Sequence, residues 1–397
     1  MGTSDATMVF SNDTETAVSV ESYSATDFSI NTTTISGVEN NTIMGVSTAG
    51  PVSKSLQTYE ERVVVAVCWL LIALINIIGN TLVILAVVFS KKLRTSTNVF
   101  VISLSVADLL TGLAIPMSAV GLLSPGNTWP LSTEAPCYLA GMLLFVSSSA
   151  SLFNLASIAL NRLILIKRPM TLYRSLYTRR NLAINVAVLW LVAIATMVIP
   201  PLFGVGGFGY DEAHHTCSDL DTHPRAKTFE RIQTFLSYPI PFIIIVSSYI
   251  MIFLHVRRHF QTQRSMRSAI SDTTNASSSN GSSSFVVSDN ATVLKTAQHN
   301  RIYRQQLEIT KNLFMAVCAF FVCITPYCVA LFIPNTDRYL LFLGVVFTCN
   351  SCVNPIIYAS KHPQFKKVMR RMLQCRYSQI EEPSDALKAL MACRKTV

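Results

Sequence analysis

A few polar side chains interrupt long apolar segments of this sequence, and they are its candidates for chemistry. Asp108 lies within one such segment, Asn161 and Arg162 end another, and Asn354 and Tyr358 belong to a third. Ionisable and amide groups are costly inside a membrane, so each one is a functional hypothesis. The sequence contains no His/Glu metal-binding pattern, nucleophile elbow or phosphate-binding loop, so an enzyme is the weakest interpretation.

Seven apolar segments are long enough to carry these residues across a membrane. Half of the 397 residues are apolar and 14% are charged, whereas roughly a quarter are charged in soluble domains. About 20 helical residues cover the bilayer core, so we predict an all-α membrane protein with seven transmembrane helices. A soluble protein would need seven coincidental core helices. The predicted spans are 63–89, 99–123, 138–166, 182–203, 232–254, 313–333 and 339–359.

The formal charge of +10 is distributed over alternate loops of the chain. A nucleic-acid-binding domain would concentrate that charge, so no nucleic-acid partner is expected. Loops rich in Lys and Arg usually face the cytoplasm, which predicts an extracellular N-terminus and a cytoplasmic C-terminus. The basic loop residues include Lys91, Lys92, Arg94, Lys167, Arg168, Arg174, Arg179, Arg180, Arg257, Arg258, Arg301 and Arg304.

The N-terminal segment, 1–61, is rich in Ser, Thr and Asn and is predicted to be disordered and extracellular. It lacks the apolar core of a signal peptide, so the first span is expected to act as the signal anchor. Glycosylation patterns occur at Asn12, Asn31 and Asn40.

The remaining chain divides into three further regions. Residues 62–360 form the predicted seven-helix domain, which includes a flexible cytoplasmic loop at about 261–297. Residues 361–375 place apolar side chains at helical spacing among basic ones, which predicts an amphipathic helix on the membrane surface in contact with lipid. Residues 376–397 are the cytoplasmic tail, and Cys375 is a candidate for palmitoylation.

Two of the ten cysteines differ from the others in their position. Cys137 lies at the outer start of the third span and Cys217 lies in the outer loop before the fifth. Both are on the oxidising side of the membrane, so a disulfide between that loop and the helix is chemically sensible. Cys349 and Cys352 form a C-x-x-C pattern inside a span, which we interpret as packing rather than metal or redox chemistry.

Each span carries a landmark residue, and the order of these landmarks is more specific than any one of them. The series resembles the rhodopsin-like (class A) G-protein-coupled receptors over about residues 62–375. The resemblance implies a plasma-membrane receptor with an extracellular ligand, and with a heterotrimeric G protein, arrestin and a receptor kinase as partners. The landmarks are Asn80, Asp108, Arg162, Trp190, Pro241 with Tyr249, Phe320 with Pro326, and Asn354-Pro355 with Tyr358.

In that family a buried Asp and its polar neighbours hold water and a sodium ion between helices. The resemblance assigns this site to Asp108, Ser151, Asn350 and Asn354. Sodium is the one ion it implies, with no other metal or cofactor. A structural hydrogen-bond network without regulation is the alternative.

The resemblance also implies a cytoplasmic switch, in which outward movement of the sixth helix opens a cleft for the G protein. Prolines that kink helices without switching are the alternative. The switch residues are Asn161, Arg162, Tyr249, Asn354, Pro355 and Tyr358.

Three positions depart from the family pattern. Asn161 replaces the usual acid before the switch Arg, Leu163 replaces the usual aromatic residue after it, and Ile324 replaces the usual Trp of the sixth helix. The Asn-Arg pair is similar to that of melatonin receptors, and the segment 354–365 is similar to opsins. We expect a weakly restrained Arg162, because Asn161 and Gln306 offer only neutral contacts.

The ligand pocket implied by analogy consists of Leu144, Ser148, Tyr238, Tyr327 and Thr348. This set is mainly apolar with a few hydroxyls, which favours a neutral, amphipathic or lipid-like ligand, or part of a peptide. The seventh span lacks the Lys that retinal needs, and Leu144 replaces the Asp of amine receptors. A transporter, a channel, and a constitutive or scaffold receptor are the rival classes.

Overall fold

The computed structural model describes residues 57–126, 128–168, 170–277 and 289–395. The glycosylation patterns at Asn12, Asn31 and Asn40 lie outside these residues. Seven spans in the described chain are long and apolar enough to cross a membrane, which confirms the predicted fold class. The spans are formed by helices α1 (Tyr59–Phe89), α2 (Ser96–Leu123), α3 (Ala135–Lys167), α5 (Arg179–Leu202), α6 with α7 (Ala226–Ser237, Pro239–Ser277), α8 (Asp289–Ala330) and α9 (Asp337–Lys361).

Threonine caps start three of these helices. The hydroxyls of Thr58, Thr95 and Thr178 each accept a hydrogen bond from a backbone N–H in the first turn of α1, α2 and α5. Such a cap satisfies one of the amides that have no partner within the helix. At α1, Glu61 completes a capping box by accepting from the Thr58 amide.

The fifth span is divided at Tyr238, where α6 ends and α7 begins. Pro239 starts α7 and Pro241 follows, and neither can donate the backbone hydrogen bond that a continuous helix requires. Beyond the membrane α7 continues to Ser277 and α8 begins at Asp289. The predicted flexible loop at 261–297 is therefore mostly helical in the described residues, because 261–277 and 289–297 contain neither Gly nor Pro.

A β-hairpin lies in the outer loop between α5 and α6. Strands β1 (Phe208–Asp211) and β2 (Thr216–Asp219) pair antiparallel, with Tyr210 opposite Cys217. Both strands pack against α3. The sequence analysis did not predict this hairpin, because two four-residue strands leave little periodicity to detect.

Apolar packing forms one large core from the halves of α1, α2, α3, α7, α8 and α9 that are predicted to face the cytoplasm. Trp190 of α5 is a landmark residue, and its indole N–H donates to the hydroxyl of Ser103 in α2 at 3.1 Å. A short helix, α4 (Met170–Leu176), follows α3 on the cytoplasmic side. Tyr173 of α4 reaches back to the end of α3, where the switch residues lie.

The amphipathic helix predicted after the last span is confirmed as α10 (Pro363–Leu373), with Phe365, Val368, Met369 and Met372 buried. The tail then folds back as α11 (Asp385–Lys395). Leu387 is fully buried, the Lys91 amide donates to the Glu382 carbonyl at 2.9 Å, and Lys91 Nζ pairs with Asp385 at 2.9 Å. The tail thereby contacts the loop between α1 and α2.

Candidate functional site

Asp108 is the centre of a buried polar network in the middle of the bundle. Its carboxylate is fully buried and accepts hydrogen bonds from the Ser151 hydroxyl and the Asn354 amide, both at 2.9 Å. The Asn76 amide donates to the Asp108 backbone carbonyl at 2.8 Å. Helices α1, α2, α3 and α9 therefore meet at Asp108, with α3 and α9 contacting its carboxylate and α1 its backbone carbonyl. Of the four residues predicted for the sodium site, Asp108, Ser151 and Asn354 are in direct contact.

The chemistry of this network suits a hard cation. A carboxylate with two hydrogen bonds keeps free lone pairs, and no described cationic side chain pairs with Asp108. Within the described residues, the buried oxygens Ser105 Oγ and Asn80 Oδ1 also lack partners. Asn350 is buried on α9, but none of the described hydrogen bonds joins it to Asp108. Occupation by sodium stays a prediction.

At the cytoplasmic end, Arg162 connects α3 to α8. Its Nη1 donates to Gln306 Oε1 at 2.9 Å. Asn161 points elsewhere, because its Oδ1 accepts from the Thr97 hydroxyl at 2.6 Å and its Nδ2 donates to the Tyr173 hydroxyl at 3.2 Å. The neutral partner of Arg162 in the described chain is therefore Gln306, while Asn161 ties α3 to α2 and α4.

Two buried tyrosine hydroxyls flank this arginine without hydrogen-bond partners in the described chain. They belong to Tyr249 of α7 and Tyr358 of α9, and Arg162 Nε is also unpaired. Tyr358 packs on Phe365 of α10, with ring centroids 5.4 Å apart. A buried polar group without a partner costs free energy, so a rearrangement or a water that pairs these atoms is favoured.

Two adjoining cavities, which share part of their lining, lie next to the outer hairpin. The five residues predicted for the ligand pocket all line them. Leu144 and Thr348 line the first cavity, Ser148 and Tyr238 line the second, and Tyr327 lines both. Ligand binding by these residues stays a prediction.

The residue that replaces the usual Trp of the sixth helix lies against the second cavity. Ile324 is buried there and belongs to the same apolar core as Phe320, against which Phe321 packs. Phe321 lies 4.9 Å from Phe242, 5.9 Å from Phe320 and 6.1 Å from Tyr238, measured between ring centroids. Packed aromatic side chains therefore connect the second cavity with the core on the predicted cytoplasmic side.

The surface of the two cavities is mainly apolar, but acidic side chains line the end next to the hairpin. Asp211, Asp219, Asp221 and Glu230 all contribute to the cavity walls. His214 lies among them, with Nδ1 2.6 Å from Asp211 and 3.5 Å from Asp221. Burial alone would lower the pKa of His214, but the hydrogen bond and charge of Asp211 outweigh it and raise the pKa to about 9.

The predicted disulfide is confirmed between Cys137 and Cys217. It joins the start of α3 to β2, and the Ser118 hydroxyl donates to the Cys217 carbonyl at 3.3 Å. His214 Nε2 lies 3.0 Å from the Asp337 carbonyl at the start of α9. The hairpin is therefore tied to α2, α3 and α9 over the cavities.

The sequence analysis missed Asp219, Glu230, Gln233 and Trp69 as cavity residues. A signal for Asp219 was present, because it lies two residues from Cys217 and a disulfide at Cys217 holds its neighbours above the bundle. Glu230 was overlooked because the fifth span was predicted to begin at 232, whereas α6 begins at Ala226.

A bundle of seven apolar spans with a buried carboxylate, a cytoplasmic Arg and a disulfide-anchored outer hairpin defines the class of seven-transmembrane receptors. The model of the rhodopsin family of seven-transmembrane receptors matches residues 79–358. The chain belongs to that family. Squid rhodopsin has a similar solved structure, with a TM-score of 0.65, 21% sequence identity and coverage of 84% of this chain and 91% of that one.

Two curated relatives illustrate the range of similarity. The G-protein coupled receptor moody of Drosophila melanogaster is 29% identical over 370 residues, covering 83% of this chain and 53% of that protein. Melatonin receptor type 1B-B of Danio rerio is 27% identical over 310 residues, covering 75% of this chain and 78% of that protein. The chain spans about half the length of moody. It spans 60% of the length of a Gq-coupled rhodopsin of Mizuhopecten yessoensis, to which it is 25% identical.

Proposed function

We propose that this protein is a plasma-membrane receptor that binds an extracellular ligand in the two cavities and activates heterotrimeric G proteins through movement of its helices. The observation that carries the proposal is the contact between Arg162 Nη1 and Gln306 Oε1, 2.9 Å long, at the cytoplasmic end of α3 and α8. A neutral contact that bridges two helices can break at modest cost, which frees the arginine for a partner.

Three further features support a two-state switch. The Tyr249 and Tyr358 hydroxyls are buried without described partners, and both tyrosines lie near Arg162. Pro326 interrupts α8 and Pro355 interrupts α9, and each removes a helical hydrogen bond. Two relatives, 29% and 25% identical to this chain, have names that refer to G-protein coupling.

The test measures G-protein activation without ligand in cells that express the wild type or Arg162→Ala at matched surface levels, using one biosensor for each G-protein class. The proposal predicts basal activity above that of untransfected cells for at least one class, and its loss in Arg162→Ala. Lys167→Ala, at the end of the same helix, is the matched control and should keep the signal. Equal activity in wild type and Arg162→Ala would exclude Arg162 as the switch.

Arrestin and a receptor kinase are proposed as further partners, since class A receptors are commonly regulated by both. Palmitoylation is proposed at Cys375, which is exposed directly after α10. A lipid chain there would anchor the end of α10 to the membrane. Metabolic labelling with an alkynyl palmitate should modify the wild type, and Cys375→Ser should lose the label.

A further inference from the structure

The outer end of the two cavities contains more carboxyl groups than cationic partners. Asp219 and Glu230 line both cavities, and Asp211 and Asp221 line the first. His214 pairs with Asp211 and approaches Asp221. The other nearby cation in the described chain is Lys227 of α6, which is exposed. Its Nζ lies 3.9 Å from Glu230 and 3.3 Å from Asp337 at the start of α9.

Asp219 is the acid left without a counter-charge. It forms no ion pair with any residue the structure describes, although it borders both cavities. Burial, followed by the charge of Asp221, raises the pKa of Asp219 to about 7. Burial and the charge of Asp211 also raise the pKa of Asp221. Grouped carboxylates of this kind are stabilised when a cation enters.

Two buried donors in the cavity walls have no partner, and these are independent of the acids. Gln233 of α6 is 5% exposed, lines the second cavity, and its Nε2 forms no described hydrogen bond. Trp69 of α1 is 6% exposed, lines the first cavity, and its Nε1 is likewise unpaired within the described residues. An occupant with hydrogen-bond acceptors would remove the cost of these unpaired N–H groups.

Apolar and aromatic walls connect the acids to the buried donors. Phe145, Tyr327 and Phe347 line both cavities. Leu144 of α3 faces the first cavity, so the wall formed by α3 offers no charge there. A positive charge on a bound molecule would therefore meet the hairpin and α6, while its apolar part contacted the aromatic rings.

We propose that the ligand of this receptor is an amphipathic cation, whose ammonium group lies among Asp219, Asp221 and Glu230 and whose hydrogen-bond acceptor meets Gln233. The inference rests on the proposed function in one respect, namely that the two cavities bind the extracellular ligand. It narrows the expectation of a neutral, amphipathic or lipid-like ligand, or part of a peptide, to an amphipathic cation.

The test uses purified receptor in lipid nanodiscs and affinity selection read by mass spectrometry. The probes are arylalkylamines and aromatic dipeptide amides, each mixed with its own N-acetyl derivative, which has the same skeleton without the charge. Wild-type receptor should retain free amines over their acetylated partners by at least about tenfold. A hydrogen bond to a charged group is strong enough to change an affinity by about this factor. Asp219→Asn and Glu230→Gln should each reduce that preference, and the double variant should abolish it.

Glu212→Gln is the matched control, because it removes a carboxylate from the same hairpin at a residue outside the cavity linings. It should keep the full preference. Variants are compared only at equal melting temperature, and Asp221→Asn replaces any variant that fails to fold. The proposal is wrong if no free amine is retained above its N-acetyl derivative. It is also wrong if the preference for the free amine survives the double substitution.

A metal ion is the competing occupant, since ligand atoms of Asp211, His214 and Asp221 lie within 4.8 Å of one another. If ZnCl2 raises the melting temperature and no amine is selected, the cluster binds metal and the cationic-ligand proposal is wrong. Because binding is measured without G protein, this result leaves the signalling proposal intact. Conversely, loss of G-protein activation would leave the selection of amines unaffected.

Discussion

At the scale of single residues, the contact between Arg162 and Gln306 determines how firmly α3 and α8 are held at the cytoplasmic end. A guanidinium paired with a carboxylate gains the attraction of an opposite charge in addition to its hydrogen bond, whereas an amide acceptor provides no opposite charge. Gln306 supplies a neutral acceptor at 2.9 Å. Asn161 adds no described contact to Arg162, because it bonds to Thr97 and Tyr173 instead. The closed arrangement is therefore weakly restrained.

We predict that Gln306→Glu lowers ligand-free G-protein activation about fivefold. The new carboxylate replaces an amide oxygen already in contact with Arg162, and an added stabilisation of about 1 kcal/mol changes a two-state population by that factor. Gln305→Glu, which adds the same charge at the neighbouring exposed residue, should leave activity unchanged. Basal activity is measured at matched surface expression, and an equal decrease in both variants would point to a general charge effect.

The substitution Asn161→Asp is also predicted to lower basal activity. The Thr97 and Tyr173 hydroxyls can both donate to a carboxylate, so the existing contacts are compatible with Asp. The added negative charge lies one residue from Arg162. It therefore favours the arrangement in which the Arg162 guanidinium stays close to α3. Basal activation of G protein is again the measurement, and unchanged or raised activity would refute weak restraint at this position.

A third prediction at the residue scale concerns Asp108. If its carboxylate and Ser151 hold sodium, NaCl should raise the melting temperature of purified receptor relative to choline chloride at equal ionic strength, because an ion that binds the folded state stabilises it. Asp108→Asn should remove this difference. Glu60→Gln, which neutralises an exposed acid at the start of α1, should keep it. A sodium effect that persists in Asp108→Asn would mean that sodium binds elsewhere.

At the scale of elements, the bundle depends on a close approach between α1 and the proline kink of α9. A Cβ added at Gly79 would lie 2.8 Å from Pro355 Cγ and 2.9 Å from Pro355 Cβ. Asn354 precedes that proline and donates to Asp108. The absence of a side chain at Gly79 therefore lets α9 approach closely enough to place Asn354 in the buried network.

We predict that Gly79→Ala destabilises the receptor by about 1–3 kcal/mol, the usual cost of an added methyl group in a packed core. Gly344→Ala is the matched control on α9, because its nearest neighbour, Trp69 Cζ2, lies at 3.4 Å, an ordinary contact. Thermal unfolding of both variants in nanodiscs is the measurement. A melting temperature for Gly79→Ala equal to that of Gly344→Ala would show that α9 can shift without cost.

At the scale of the whole molecule, the outer hairpin and the cytoplasmic tail close opposite ends of the bundle. The disulfide at Cys137 and Cys217 fastens the hairpin over the cavities. At the other end the tail contacts the first cytoplasmic loop through Lys91, Glu382 and Asp385. The two ends therefore have different chemistry, with acidic groups above the cavities and basic loops below.

This asymmetry predicts the topology. The N-terminus should be extracellular and the C-terminus cytoplasmic, because loops rich in Lys and Arg remain in the cytoplasm. An epitope tag at the N-terminus should be labelled on intact cells, and one at the C-terminus only after permeabilisation. Labelling of the C-terminal tag on intact cells would reverse the orientation and remove the basis for assigning Arg162 to the cytoplasmic end.

The sequence by itself determined the seven spans, the amphipathic helix and the disulfide, because hydropathy, helical spacing and paired outer cysteines are legible along the chain. It also indicated Asp108 and Arg162, since polar groups are rare in apolar segments. Only the tertiary structure decided which partners these residues meet. The pairing of Arg162 with Gln306, and of Asp108 with Ser151 and Asn354, depends on how distant helices pack.

The composition of the cavity was likewise decided by tertiary structure. Asp219 belongs to a hairpin and Glu230 to a helix, and neither lies in a segment whose pattern predicts a pocket. They meet because the disulfide at Cys217 draws the hairpin over the bundle and α6 begins farther out than its hydropathy indicates. Contacts between residues on different elements depend on three-dimensional packing, which no local pattern records.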